Sequence, residues 1–265
     1  MPSAHLIQQP PIRLGIVGPR GRMGTALIAL VQQTPDLALA AQIVRLGQLQ
    51  GTTLDCLTHA DFDVLIDFSH RETVTSHADW VAKQRVAWVL GTTGLTAADV
   101  QAVAEAAQRT IVFEASNFSI GVALLLSMVA KAAQTLGLAA DIEIVEAHHH
   151  FKQDAPSGTA LALAQAAAEA RGQTLADVRR DGRSGLIGAR TQGEIGIHAL
   201  RMGSIVGEHD VHFAWEDELL TLSHKAKDRR VFAHGALKAA RFCAQLQRQG
   251  SRAGLFGMAD LLTNS

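Results

Sequence analysis

Between residues 12 and 116 the chain alternates short, almost unbroken apolar runs with stretches of helical periodicity, and few folds tolerate that pattern. The runs are IRLGIV (12 to 17), LALAAQIV (37 to 44), DVLIDFS (63 to 69), VAWVLGTT (86 to 93) and TIVFEAS (110 to 116). Met23, Ala26, Leu27, Leu30 and Val31 fall at helical spacing after the first run, and further helical patterns occupy 71 to 84 and 96 to 108. Strands that are apolar on both sides need covering on both sides, and helices between them make the crossovers that keep strands parallel. The expectation is an α/β domain built on a Rossmann-like, doubly wound parallel sheet.

From about residue 118 the pattern changes. A long apolar helix (119 to 135) leads to a strand, DIEIVEA (141 to 147), a histidine-rich segment and an alanine-rich helix (157 to 171). A glycine-rich connection then precedes IGIHALRM, HDVHFAW and LLTLSHKA, three strand-like runs without helices between them. Such runs pair antiparallel or mixed, so a second, smaller α+β domain with a mixed sheet is expected, and 265 residues suffice for two domains. The closing pattern, RRVFAHGALKAARFCAQL, has the apolar spacing of a helix packed on a sheet.

A formal charge of -1 gives no global basic field, which argues against nucleic acid and makes any anion binding local. Cys56 and Cys243 are too far apart in sequence to suggest a thiolate metal site or a disulfide framework, and both are expected as reduced core residues. The short lead MPSAHLIQQPPIR looks disordered and lacks a charged segment followed by an apolar one, and no run of about 18 uninterrupted apolar residues occurs. The expectation is a cytoplasmic protein without membrane contact.

GIVGPRGRMGTAL places Gly18, Gly21 and Gly24 in a turn between the first strand and its helix. Such a turn lets backbone approach a pyrophosphate while the helix N–H groups and dipole face the anion. The motif alone is weak; its place in an alternating unit points to a dinucleotide, and Arg20 and Arg22 add positive charge at the mouth. About 20 residues beyond the glycines an acid would bind the adenine ribose. The chain reads Val44 and Arg45 there; the arginine could accommodate a 2'-phosphate or simply be solvated. NADPH is expected to serve at least as well as NADH. GTTG (91 to 94) and ASNFS (115 to 119) fall at strand ends, where such sheets bind ligands.

The segment EAHHHFKQDAPSGT (146 to 159) admits three readings. A metal site is poorly served, because on a strand running to residue 150 His148 and His150 face one side and His149 the other. An anion site uses more of the residues: Ser157 is a candidate N-cap, and Gly158 and Thr159 lie in the first turn of a helix whose N-terminus favours carboxylate or phosphate. His149 and Lys152 nearby would complete a pocket for a small dianion, and a histidine beside a lysine can hold and deliver a proton near neutral pH. The third reading is a solvated loop before a capped helix.

GIVGPRGRMG, GTTG, ASNFSIGV, EAHHHFKQDAPSGTA, RMGSIVGEHDVHF and LSHKAKDRRVFAHGAL, in that order over nearly the whole chain, resemble the 4-hydroxy-tetrahydrodipicolinate reductase (dihydrodipicolinate reductase) family. The resemblance implies reduction of the cyclic product of aspartate semialdehyde and pyruvate to tetrahydrodipicolinate with NADH or NADPH, in the diaminopimelate route to lysine. It implies His148 as catalytic proton donor or acceptor, Lys152 as proton donor, and His149, Gly158 and Thr159 as ligands of the substrate carboxylates. The cofactor would contact Gly18, Pro19, Arg20, Gly21, Arg22 and Met23, then Arg45, then Gly91, Thr92 and Thr93, then Ala115, Ser116, Asn117 and Phe118. His150 has no specified role. Val44 departs from the acidic residue that members favouring NADH generally carry, which supports the NADPH leaning.

The resemblance further implies a cofactor domain over 1–118, a substrate and tetramerisation domain over 119–228, and a segment over 229–265 that returns to the cofactor domain. A homotetramer built through the second sheet and closure of the domains around both ligands are its remaining implications. An alternative of another class is a nucleotide-dependent sensor that keeps the fold without the reaction, and another is a reductase of a different small dicarboxylate.

Overall fold

The computed structural model describes residues 10–45 and 51–263, so most of the lead expected to be disordered lies outside the described residues. Two compact units are present: one contains the described residues up to Phe118 and from Phe232 onward, the other is Ser119–Val231.

In the first unit the elements run β1 (Ile12–Val17), α1 (Arg22–Val31), β2 (Leu37–Ile43), β3 (Val64–Asp67), α2 (Val74–Gln84), β4 (Ala87–Leu90), α3 (Ala97–Ala107) and β5 (Ile111–Glu114). The central strands are short and wholly buried, as their continuous apolar sequences require. All pairings are parallel, and β1 lies between β2 and β3, so the strand order reverses at the end of β1. The crevice formed at such a reversal is where ligands bind doubly wound sheets. Trp88, Leu65 and Phe62 are fully buried in the core on one side, with Val81 of α2 and Val103 of α3 packed into the same cluster.

The second unit contains α4 (Ile120–Leu136), β6 (Asp141–His148), α5 (Gly158–Ala170), α6 (Leu175–Val178), β7 (Arg179–Asp181), β8 (Ile195–Arg201), β9 (Gly207–Trp215) and β10 (Glu218–Ala226). Its sheet has the order β10-β9-β6-β8-β7 and is mixed: β6 pairs parallel with β8 and antiparallel with β9. Leu125, Val129 and Ala133 of α4 and Leu163, Ala164 and Ala167 of α5 cover one face of it, meeting Ile142, Ile144, Val211 and Phe213. The alanines let the two helices pack closely. Ile120–Ala139 is apolar and long enough to cross a membrane by length and composition, and Leu125, Val129 and Ala133 form the face with which it covers the sheet.

The chain ends with α7 (Arg230–Arg248), β11 (Gly254–Phe256) and α8 (Met258–Thr263). β11 joins the edge of the parallel sheet beside β5, and Phe242 of α7 meets Phe113 and Phe256 edge-on. Neither β11 nor β7 is expected from sequence; three residues carry no readable periodicity, and the neighbouring strand's open edge creates each one.

Three sequence expectations are corrected. The strand carrying the histidines ends at His148, and His150 lies in a turn, so the alternation expected through residue 150 does not apply. Cys243 is buried, as expected, but Cys56 is exposed, with its Sγ 3.3 Å from the Thr53 hydroxyl. The run 63–69 contributes only Val64–Asp67 to the sheet, because Asp67 turns the chain by accepting from the Ser69 N–H at 3.0 Å.

On β6, Glu143 gathers Arg183, Arg190 and His198. Burial would raise its carboxyl, but these cations outweigh that cost and hold it at about 2. A lowered carboxyl stabilises the fold fully above its unfolded value and loses that contribution as pH falls through its folded value. Acid unfolding followed by circular dichroism should therefore show a loss of stability between about pH 4.5 and about 2 that Glu143→Gln flattens.

Candidate active site

In the first unit, Gly18 takes a φ of +69° as the chain leaves β1, and the Gly21 N–H closes the turn on the Gly18 carbonyl at 3.0 Å. A Cβ at Gly24 would lie 2.2 Å from that carbonyl, so α1 approaches the turn more closely than any side chain permits. The helix N-terminus carries no acidic residue in its first turn. These are the demands of a pyrophosphate cradle, met by local sequence alone.

A cavity of about 770 Å³ opens there. Gly18, Pro19, Arg20 and Gly21 line one side, Val44 and Arg45 follow from β2, and Phe68 and Ser69 follow from β3. Arg22 and Met23 open α1 and are not part of this lining. Two acids absent from the expectation also line the cavity, Asp55 and Glu72. Glu72 stands 3.5 Å from the Arg45 guanidinium, with both side chains more than half exposed. Both come from segments after the strand end where a doubly wound sheet carries a ribose-binding acid.

The other expected cofactor residues follow β4 and β5. The Gly91 N–H donates to the Asp67 carbonyl at 2.8 Å, and the Ala115 N–H donates to the Leu90 carbonyl at 3.2 Å. Thr92 is buried with its hydroxyl unpartnered among the described residues. Phe118 packs on Phe68 with ring centres 5.1 Å apart, while Thr93 and Ser116 are exposed and Asn117 is half-buried. Beneath them, buried Asp67 accepts from the Ser69 hydroxyl at 2.6 Å and pairs with His77 at 2.7 Å. This pair, unread in the sequence, fixes the loop that carries Phe68 into the cavity.

In the second unit the organising group is Glu146, whose carboxylate is fully buried. Arg201 donates to both of its oxygens at 2.8 Å, the Ser157 N–H donates at 3.0 Å, and His148 Nδ1 donates at 2.6 Å. Burial alone would raise its carboxyl; Arg201 first, then His148 and the Ser157 amide, hold it below the ordinary carboxylate range. Because an ionised carboxylate only accepts, Nδ1 of His148 must carry a proton. Nε2 is the nitrogen left to give or take one.

Arg201 also donates to the Asp154 carbonyl at 2.6 Å, which fastens the loop after Lys152 to the same anchor. The Lys152 ammonium contacts both Asp154 oxygens, at 2.9 and 2.8 Å. Ser157 is the N-cap of α5, its Oγ accepting the Ala160 N–H at 3.2 Å, so Gly158 and Thr159 form the first turn. His149 Nε2 accepts from Arg229 at 3.1 Å, and desolvation followed by the charges of Arg229, His148 and Lys152 lowers its pKa. All five expected substrate residues thus belong to one strand end, one turn and one helix start. His150 instead donates to the Gly203 carbonyl at 2.9 Å.

Three further residues join this site without a reading from sequence: Glu146, Arg201 and His209. His209 lies on β9 opposite Glu146, buried, with Nε2 3.1 Å from the Ser157 Oγ. Only Glu146 had a signal, its place two residues before His148 on the same strand face. Among the described residues no group of three or more His, Cys, Asp or Glu is placed to hold a metal ion.

Residues 12–118 match the family model described as dihydrodipicolinate reductase, N-terminus, and residues 121–262 match the one described as dihydrodipicolinate reductase, C-terminus. A 4-hydroxy-tetrahydrodipicolinate reductase of Parvibaculum lavamentivorans is 45% identical over 95% of this chain and 97% of its own. One of Psychrobacter arcticus is 41% identical over 95% of each. Among solved structures, a dipicolinate-bound dihydrodipicolinate reductase from Paenisporosarcina sp. TG-14 superposes with a TM-score of 0.74 at 27% identity, covering 93% of this chain and 97% of its own. A diaminopimelate dehydrogenase of C. glutamicum shares the fold, with a TM-score of 0.56 at 15% identity over 94% of this chain and 93% of its own.

Arg201→Met would leave the buried Glu146 carboxylate without its cation. Urea unfolding at pH 7 should show a loss of about 3 kcal/mol. The deficit should narrow as acid protonates the stranded carboxyl, whose pKa burial then raises.

Proposed function

This chain belongs to the dihydrodipicolinate reductase family and reduces 4-hydroxy-tetrahydrodipicolinate in the diaminopimelate route to lysine, and from that premise we propose how its own residues divide the work. The observation that carries the reading is the buried Glu146–Arg201 pair, which sets His148, the Lys152 loop and the first turn of α5 around one point. When bound, the nicotinamide nucleotide supplies the hydride that adds at C4 of the conjugated imine left by loss of the 4-hydroxyl. Electron density then moves to the ring nitrogen, which needs a proton.

Lys152 is that proton donor, and His148 gives or takes a proton at Nε2 while Glu146 steadies the charge at Nδ1. The ion pair with Asp154 holds the ammonium in position on its loop. Gly158 and Thr159 at the start of α5, with His149, receive the two carboxylates of the substrate. The dipicolinate named in the Paenisporosarcina structure is a ring dicarboxylate of that shape.

The nucleotide lies along the glycine turn, with Gly18 to Met23 at the pyrophosphate, Arg45 at the adenine ribose, and Gly91 to Thr93 and Ala115 to Phe118 toward the nicotinamide. Burial of the Thr92 hydroxyl without a partner supports that assignment, since a ligand would satisfy it. NADPH is used at least as well as NADH: no acid stands at Val44, and Arg45 can exchange its long contact with Glu72 for a 2'-phosphate. The second sheet exposes Leu200, Leu219 and Leu220, a surface suited to assembling a homotetramer. Reliance on reduced nicotinamide pools and free thiols suits the cytoplasm.

Steady-state kinetics with substrate made by a coupled synthase test these roles. Lys152→Ala should lower kcat by about 10²-fold or more with cofactor binding intact; turnover near wild type would remove the acid role. Thr159→Val should raise KM for the dicarboxylate by roughly tenfold and leave the cofactor KM alone. Arg45→Ala should cut kcat/KM for NADPH on the order of tenfold while sparing NADH, and a native ratio strongly favouring NADH would overturn the cofactor reading.

A further inference from the structure

His209 touches two parts of this site at once and has no place in the mechanism above. It is 4% exposed. Its ring meets that of His148 edge-on, with centres 5.3 Å apart. Its Nε2 lies 3.1 Å from the Oγ of Ser157, the hydroxyl that caps α5. Its Nδ1 is buried with no partner among the described residues.

These contacts decide where protons sit. Ser157 Oγ already accepts the Ala160 N–H. If the hydroxyl donates to His209 Nε2, one group in the pair, the Nδ1–H, stays unpaired. The opposite orientation leaves two, the hydroxyl hydrogen and the Nδ1 lone pair. The first is favoured, because each buried polar group left unpaired costs free energy. His209 is then a neutral imidazole that accepts from Ser157, and a second proton on it would compete for the lone pair that holds the cap.

The surrounding groups keep it neutral. His148 packs against the ring, Glu146 faces it from β6 and His224 from β10, and Lys152 acts on it from the loop. Glu146, the one carboxylate among them, is already taken up by Arg201, His148 and the Ser157 amide. Burial first, then the neighbouring His148, depress the His209 pKa to about 4. Of two imidazoles in contact, only His148 has a carboxylate partner.

We propose that His209 is a positioning residue for the reduction: a permanently neutral imidazole that keeps the mobile proton on His148 and, through Ser157, fixes the helix turn that receives the substrate carboxylate. The inference rests on the roles given above to His148, Gly158 and Thr159. It extends them to a residue that meets neither substrate nor cofactor.

The test uses the full-length enzyme, with His209→Phe to remove the acceptor while keeping an aromatic ring, and His209→Gln to restore a neutral hydrogen-bonding group. His209→Phe should raise KM for the dicarboxylate on the order of tenfold with the cofactor KM unchanged. His209→Gln should return it to within about twofold of wild type, as one neutral hydrogen-bond partner replaces another. In wild-type enzyme, imidazole nitrogen NMR should show His209 as a single neutral tautomer, protonated at Nδ1, down to about pH 5, its pKa being about 4. Thermal unfolding of both variants separates a folding defect from a site effect: loss of both KM effects into a common loss of folded protein overturns the proposal. So does a His209 that titrates near neutral pH, or a His209→Phe enzyme with native KM. If Thr159→Val also leaves KM untouched, the carboxylate assignment itself has failed; if Thr159→Val raises KM and His209→Phe does not, only the role of His209 has.

Discussion

A single buried carboxylate holds the second unit's chemistry together. Glu146 lies where no water can solvate it, so every oxygen lone pair must find a protein donor. The donors it recruits come from three different places, Arg201 at the end of β8, His148 two residues along its own strand and Ser157 at the start of α5, and Arg201 in turn donates to the Asp154 carbonyl. Satisfying one charge therefore sets the strand end, the lysine loop and the helix N-terminus in register. The cost of burying an ion becomes the means of placing three separate segments.

The first unit solves a different problem with less charge. Its binding surface is largely backbone: the turn at Gly18, the N-terminus of α1, and the strand ends after β3, β4 and β5. A parallel sheet whose order reverses beside β1 leaves a crevice at that point without any special residue. The side chains that matter there are few. Asp67 and His77 brace the loop at Phe68, and Arg45, Asp55 and Glu72 set the charge at one side of the cavity.

How much of this could be read in advance depended on the range of the interactions involved. The glycine turn, the Ser157 cap and the amphipathic helices are local, and their residues lie within a few positions of each other. The mixed order of the second sheet was expected in kind, though not in register. What escaped were pairings across long separations: Arg201 with Glu146, His209 with Ser157, and Glu72 with Arg45. β7 and β11 escaped for the same reason, since each is strand only because a neighbour's edge offers hydrogen bonds.

By itself, the sequence determined the class of each unit, the glycine turn after β1 and the capped start of α5, because periodicity and turn geometry are properties of neighbouring residues. Only the tertiary structure decided which nitrogen of His148 is free, which arginine neutralises the buried acid, and which further histidine is buried beside it. The first depends on the burial that keeps Glu146 beside His148 and the others on partners fifty or more residues away, and a dielectric and a hydrogen-bond count exist only after the sheet has formed.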